Sequence, residues 1–275
     1  MRLGIFAKTF AGTDPLTVLR AARDAGFAAV QYNMACSGLA AMPGMIHPDI
    51  TQAILAASQT TGIGIAAVSG TYNMIHPNPV MRDAGMRNLA LLIENAAAMG
   101  TDMVTLCTGT CDPDDQWRGH PDNGSPAAWA LLLAELAKAA DLAEAHGVKL
   151  GIEPELANVV SDASRARALI DTLQSPALAI VLDPANLFEV AQLDQLHSII
   201  SHAIDLLADR IVMAHAKDRD AQGGFVTAGQ GVVNFDHFLE ALQSAGFDGD
   251  VVTHGLTAPE AAGVARFLAD KLDSL

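Results

Sequence analysis

Eight short apolar runs recur along the 275 residues: LGIFAKT, AAVQYNM, GIAAVSGTY, MVTLCTGT, KLGIEPE, LAIVLDPAN, RIVMAHAKD and DVVTHGL. They lack the polar alternation of a strand with one wet face, as expected of parallel strands buried on both sides. Between them lie longer segments with apolar residues at helical spacing and recognisable ends. Asp14-Pro15 opens one that Gly26 closes, Ser125-Pro126 opens one that Gly147 closes, and Thr257 with Glu260 forms a capping box for the last. Strand and helix signals alternate without a break at a repeat of roughly 34 residues, about the length of one βαβ unit. The pattern predicts an α/β fold, a single (β/α)8 TIM barrel. No linker, charge run or low-complexity tract divides it, so one domain over 1–275 is expected.

The longest stretches with neither period follow the second, third, fourth and seventh runs: CSGLAAMPGMIHP, TYNMIHPNPVMRDAG, TGTCDPDDQWRGHPDNGSP and KDRDAQGGFVTAGQGVVN. All four leave C-terminal strand ends, the face on which barrels build their sites, and the opposite face is predicted to be short-looped. Composition narrows the partners. Sixteen Lys and Arg against 31 Asp and Glu give a net charge of −15, which repels phosphate backbones and anionic membranes, so neither nucleic acid nor membrane is expected. The 51% apolar fraction rests on alanine-rich segments broken by Glu, Lys and Asp at helical spacing, and no transmembrane span is predicted. MRLGIFAKTF reads as a first strand rather than a secretion signal. Cys36, Cys107 and Cys111 are an odd set without CxxC spacing, which points to a reducing compartment and a cytoplasmic location. A homo-oligomer is left open.

Four polar residues end apolar runs: Glu153, Asp183, His215 and His254, separated by 30, 32 and 39 residues. In a closed parallel barrel these ends converge on one mouth, where two carboxylates and two imidazoles could hold one divalent metal ion. The donor set suits Mn first, with Co, Zn, Fe or Mg as alternatives. Singly, each has a structural reading: Asp183 before Pro184 could cap a turn, and Glu153 could pair with Lys217 or Arg219. The joint placement favours the metal.

A metal-bound carbonyl acidifies the adjoining C–H, so Glu153 is expected as base and Lys217 or His254 as partner acid in proton transfer through a metal-stabilised enediolate. That chemistry is isomerisation or epimerisation of a small carbohydrate. Loss of carbon dioxide or a β-leaving group would instead make a lyase or decarboxylase acting on an oxidised sugar or sugar acid. A non-catalytic sugar- or metal-binding barrel is the reading from another class. His76, Trp117, Arg118 and His120 in the top-face loops, with Asn186 and Arg219, are the expected substrate-binding residues. GGF and GQG after the seventh run could serve a phosphate or only let a loop turn. His146, His197, His202 and His237 fall on helical segments and read as surface residues.

GIEPE, LDPANL and HAKD at the ends of the fifth, sixth and seventh strands resemble the xylose-isomerase-like TIM-barrel superfamily, the sugar phosphate isomerase/epimerase group, with matching strand order over nearly the whole chain. The resemblance implies that Glu153, Asp183 and His215 ligate one divalent metal, with a fourth ligand ending the eighth strand. Members with epimerase or isomerase activity usually carry there a Glu that is also one of two acid/base groups. VVTHGL carries His254 instead, which keeps a metal ligand and removes the second carboxylate. Three residues after Asp183, where many relatives carry a His, this chain has Asn186, so a multinuclear zinc site of the repair-nuclease kind is not expected.

Overall fold

The computed structural model describes residues 1–275. Its strands are β1 (Arg2–Phe6), β2 (Ala29–Tyr32), β3 (Gly64–Ser69), β4 (Met103–Cys107), β5 (Lys149–Glu153), β6 (Leu178–Leu182), β7 (Ile211–Ala216) and, after a small hairpin of β8 (Asp218–Arg219) and β9 (Phe225–Val226), β10 (Asp250–Thr253). β1 to β7 pair in sequence, and β10 closes the ring between β7 and β1. Every barrel pairing is parallel. All eight expected strands are therefore present in a (β/α)8 barrel, and one consequence is fixed: every C-terminal strand end faces the same mouth.

Eight helices fill the crossovers: α1 (Pro15–Asp24), α2 (Pro48–Thr61), α3 (Pro79–Asn95), α4 (Pro126–His146), α5 (Ala163–Leu173), α6 (Leu196–Leu207), α7 (Phe235–Ser244) and α8 (Ala261–Asp273). Their ends follow the sequence punctuation. The Asp14 side chain accepts from Thr17 N at 2.9 Å, and Ser125 accepts from Ala128 N at 3.1 Å, each satisfying an amide that the first turn leaves free. Gly147 closes α4 in the left-handed region at φ 66°. The Thr257–Glu260 capping box is present, and a short 3-10 turn separates it from α8.

The apolar residues divide between two layers. The larger lies between sheet and helices, and the smaller fills the barrel with Ala29, Ala66, Met103, Val181, Met213 and Val252. Space inside is tight: a Cβ on Gly151 of β5 would lie 2.7 Å from Val181 Cγ2. Side chains thus fill the barrel's interior, and the strand ends at its upper face are where barrels of this kind place their chemistry.

The two faces differ as the sequence implies. Helix-to-strand turns are short, as at 25–28, 62–63, 147–148 and 208–210, whereas the loops over 33–47, 70–78, 108–125 and 217–234 rise above the mouth. The hairpin β8–β9 within the last was not expected, because two-residue strands leave no readable period. No helix is long and apolar enough to cross a membrane.

Candidate metal centre and active site

Glu153 ends β5, Asp183 follows β6, His215 is the penultimate residue of β7 and His254 follows β10. Their ligand atoms all lie within 4.8 Å of one another. His215 Nδ1 sits 3.3 Å from Glu153 Oε1 and 3.8 Å from Asp183 Oδ2, and His254 Nε2 sits 3.4 Å from Asp183 Oδ2. The two imidazoles are edge-on, with centroids 4.5 Å apart.

Asp183 has two distinct oxygens. Oδ1 accepts from Ala185 N at 2.9 Å, capping a short turn, while the buried Oδ2 has no hydrogen-bond partner. His254 Nε2 is likewise buried without a partner. Orphaned polar atoms are costly inside a protein, and here a carboxylate oxygen and an imidazole nitrogen, each able to offer a lone pair, lie together among carboxylates and imidazoles. Mixed O/N donors at this spacing fit a divalent cation of the Mn, Co, Fe or Zn type.

Electrostatics agree with that fit. Burial works against charge on every member. For Glu153 and Asp183 it is outweighed by His215, and for Asp183 also by His254 and Lys217, so both carboxyls stay below their ordinary range. His215 shows the converse: burial favours its neutral form, but the Glu153 charge and contacts to both carboxylates raise it to about 9. Burial and the charge on His215 lower His254. A carboxyl absent from the sequence reading, Glu155, lines the same cavity, and burial followed by the Glu153 charge raises it to about 7.

The pH dependence follows. In the metal-free protein His215 is raised above its unfolded value, so its contribution to stability is fully present below about pH 6.5 and is lost as pH climbs through about 9. A metal must displace that proton, so divalent-ion affinity should rise by up to tenfold per pH unit below about 9. Calorimetric titration at several pH values checks the slope, and a flat profile would exclude His215 as a ligand.

His215 is held from behind by three residues that sequence reading missed. Its Nε2 lies 2.8 Å from Gln31 Oε1, and Gln31 Nε2 donates to Ser69 Oγ at 3.0 Å and Thr105 Oγ1 at 3.2 Å. This chain from β2, β3 and β4 assigns the Nε2 proton to Gln31 and leaves Nδ1 for the centre. The only signal was a polar residue inside each apolar run. Gln31→Leu should keep the fold and weaken metal binding by about 10–100-fold in the same titration.

Glu153, His215 and His254 line a cavity of about 520 Å³, together with Lys8, Gln116, Trp117, Glu155, Lys217 and Phe225, and Asp183 lies buried against them. Lys217 Nζ lies 3.9 Å from Asp183 Oδ2. Of the expected substrate-binding residues, Trp117 faces the cavity from the loop after β4, and Asn186 donates to Glu153 Oε1 at 2.9 Å. The other four are engaged elsewhere. Arg118 grips Asp112 through Nε at 2.6 Å and Nη2 at 2.8 Å. His120 Nδ1 accepts from Asp122 N. Arg219 donates to the carbonyls of Phe188 and Gly223 rather than to Glu153. His76 bonds Pro113 O and Asn78 N beside a neighbouring cavity of about 420 Å³ that shares Gln116 with the first. Each of the four finds a partner within its own or an adjoining loop, so these side chains shape loops instead of meeting at the centre.

Residues 19–269 match the family described as xylose isomerase-like TIM barrel. No curated protein matches the chain. Among solved structures, an L-ribulose 3-epimerase is similar at 18% identity and TM-score 0.76, over 99% of this chain and 95% of that one. A 3-keto-D-glucoside 4-epimerase from E. coli is similar at 16% identity and TM-score 0.77, over 98% and 99%. The probable 3-DHS dehydratase involved in petrobactin synthesis from Bacillus anthracis is similar at 13% identity and TM-score 0.77, over 98% and 99%. At these identities the likeness establishes the fold.

Proposed function

The chain belongs to the xylose isomerase-like TIM barrel family, and from that premise we propose that it is a divalent-metal-dependent isomerase or epimerase of a small carbohydrate, with Mn the first metal to try. One observation carries the reading: Glu153, Asp183, His215 and His254 converge, with orphaned Asp183 Oδ2 and His254 Nε2, in a cluster of which Glu153, His215 and His254 line the cavity. A fold of this kind hosts many chemistries, so the side chains must support the activity. Epimerases among the structures it resembles support the same reaction class.

A bound divalent ion would polarise the substrate carbonyl and favour negative charge on its oxygen. The rest falls to this chain's residues. Glu153 stays ionised beside His215, so its carboxylate can accept the proton on the carbon next to that carbonyl. Asn186 holds Oε1 and so orients the base. Lys217, His254 and Glu155 face the same cavity and are the candidates to return a proton. Glu155 offers a second carboxyl in a chain where His254 stands in place of the Glu that family members usually carry. Trp117 and Phe225 supply apolar faces against which sugar C–H groups can pack.

A second reading, a lyase or dehydratase on an oxidised sugar or sugar acid, is favoured by His254 in place of that carboxylate. The test is incubation of chelator-stripped protein, with and without Mn, with ketoses, aldoses and 3-keto sugar acids in deuterated water. The expected result is metal-dependent deuterium on the carbon beside the carbonyl, with an isomer or epimer as product. Loss of carbon dioxide or a leaving group would move the assignment to the lyase. No exchange with any compound in the panel would leave a binding barrel.

A further inference from the structure

Asp218 is wholly buried one residue past Lys217, outside the four-residue centre. Its carboxylate accepts four backbone amides: Oδ1 from Arg219 N at 2.8 Å and Val233 N at 3.0 Å, and Oδ2 from Gly229 N at 3.0 Å and Gly231 N at 2.9 Å. Two oxygens offer about four acceptor sites, so the group is saturated by main chain alone. Gly231 is required for the approach, since a Cβ there would collide with the Asp218 carboxylate and the Arg219 carbonyl. The loop that leaves β8 is thus drawn back onto the residue where it began.

What the tied loop carries is Phe225. β9 pairs with β8, Arg219 opposite Phe225, and the Arg219 guanidinium is itself pinned by the carbonyls of Phe188 and Gly223. The Phe225 ring, half exposed and lining the cavity, lies over Lys217 Nζ at 3.4 Å from its centroid. Ring attraction on one side and the Asp183 carboxylate 3.9 Å away on the other hold the ammonium at one place at the cavity wall.

We propose that Asp218 is a positioning residue: by gathering the amides of 219, 229, 231 and 233 it sets Phe225 over Lys217 and so fixes the Lys217 ammonium at the mouth of the centre. The proposal concerns the chain's own geometry, and its test needs neither metal nor substrate.

The test measures reductive methylation of Lys217 by peptide mass spectrometry, on the full chain. Phe225→Ala should raise the rate about fivefold, the loss of one partly desolvated cation–π contact, and Phe225→Tyr should restore it. Asp218→Asn, which turns one acceptor into a donor facing two amides, should raise it to a similar degree, and the double variant should add little. An unchanged rate in a folded Asp218→Asn variant, or fully additive effects, would overturn the proposal. Should Asp218→Asn fail to fold, hydrogen exchange on the wild-type chain decides. The amides of Arg219, Gly229, Gly231 and Val233 should exchange as slowly as those of β7, and exchange at open-loop rates would sink the idea.

Discussion

Asp183→Ala is expected to abolish stabilisation of the protein by divalent metal. With wild-type protein, Mn at a hundredfold excess over its dissociation constant should add about 2.7 kcal/mol to folding free energy, visible as a rise in melting temperature over the chelator-stripped sample. Asp183 is fully buried, and its Oδ2 is the only ligand atom in close contact with both His215 and His254. Without it the centre loses a charge and the atom that joins the two imidazoles. The substitution also removes the acceptor for Ala185 N, which lowers the metal-free stability by about 1 kcal/mol. That loss cancels when each variant is compared with and without metal. An undiminished Mn shift in Asp183→Ala would remove this residue from the ligand set.

Glu153→Gln should lower the rate of solvent deuterium exchange into substrate by about 10²–10⁴-fold, the usual worth of a positioned general base. The amide is nearly isosteric and its oxygen can still accept from Asn186, so the variant should keep the fold, while loss of the charge paired with His215 lowers its metal-free melting temperature. It cannot take a proton. Because Glu153 also belongs to the ligand group, the comparison is made at saturating metal, where weaker binding is compensated and only the proton step differs. Exchange at the wild-type rate would exclude Glu153 as base. The same assay on Lys217→Met, His254→Asn and Glu155→Gln identifies the group that returns the proton.

The barrel and its four central residues were legible for one physical reason. Parallel strands covered on both faces read as continuous apolar runs, so a charged or imidazole residue ending such a run is conspicuous, and closure sends all those ends to one side. Glu153, Asp183, His215 and His254 needed no more than that. Gln31, Ser69 and Thr105 were not legible, because a polar residue within a run acquires meaning only through its neighbour on the next strand, 38 or 74 residues away.

The loop residues were legible by type and face but not by partner. Arg118 and His120 have the right chemistry and lie on the right face, yet Asp112 and the Asp122 amide, within six residues of them, engage them first. Residue type cannot distinguish a side chain that reaches for a ligand from one that closes its own loop. Arg219 has the charge to meet Glu153, but the carbonyls of Gly223 and Phe188 hold it in the hairpin. Glu155 was overlooked because Glu153, two residues earlier, already explained the GIEPE motif.

The central claim is that four strand-end side chains form one divalent-metal centre, and anomalous diffraction from crystals soaked in Mn tests it most directly. The expected result is one strong anomalous peak in contact with His215 Nδ1, His254 Nε2, Asp183 Oδ2 and the Glu153 carboxylate. A saturating soak that leaves that point empty, or sets the peak among other residues, would contradict it.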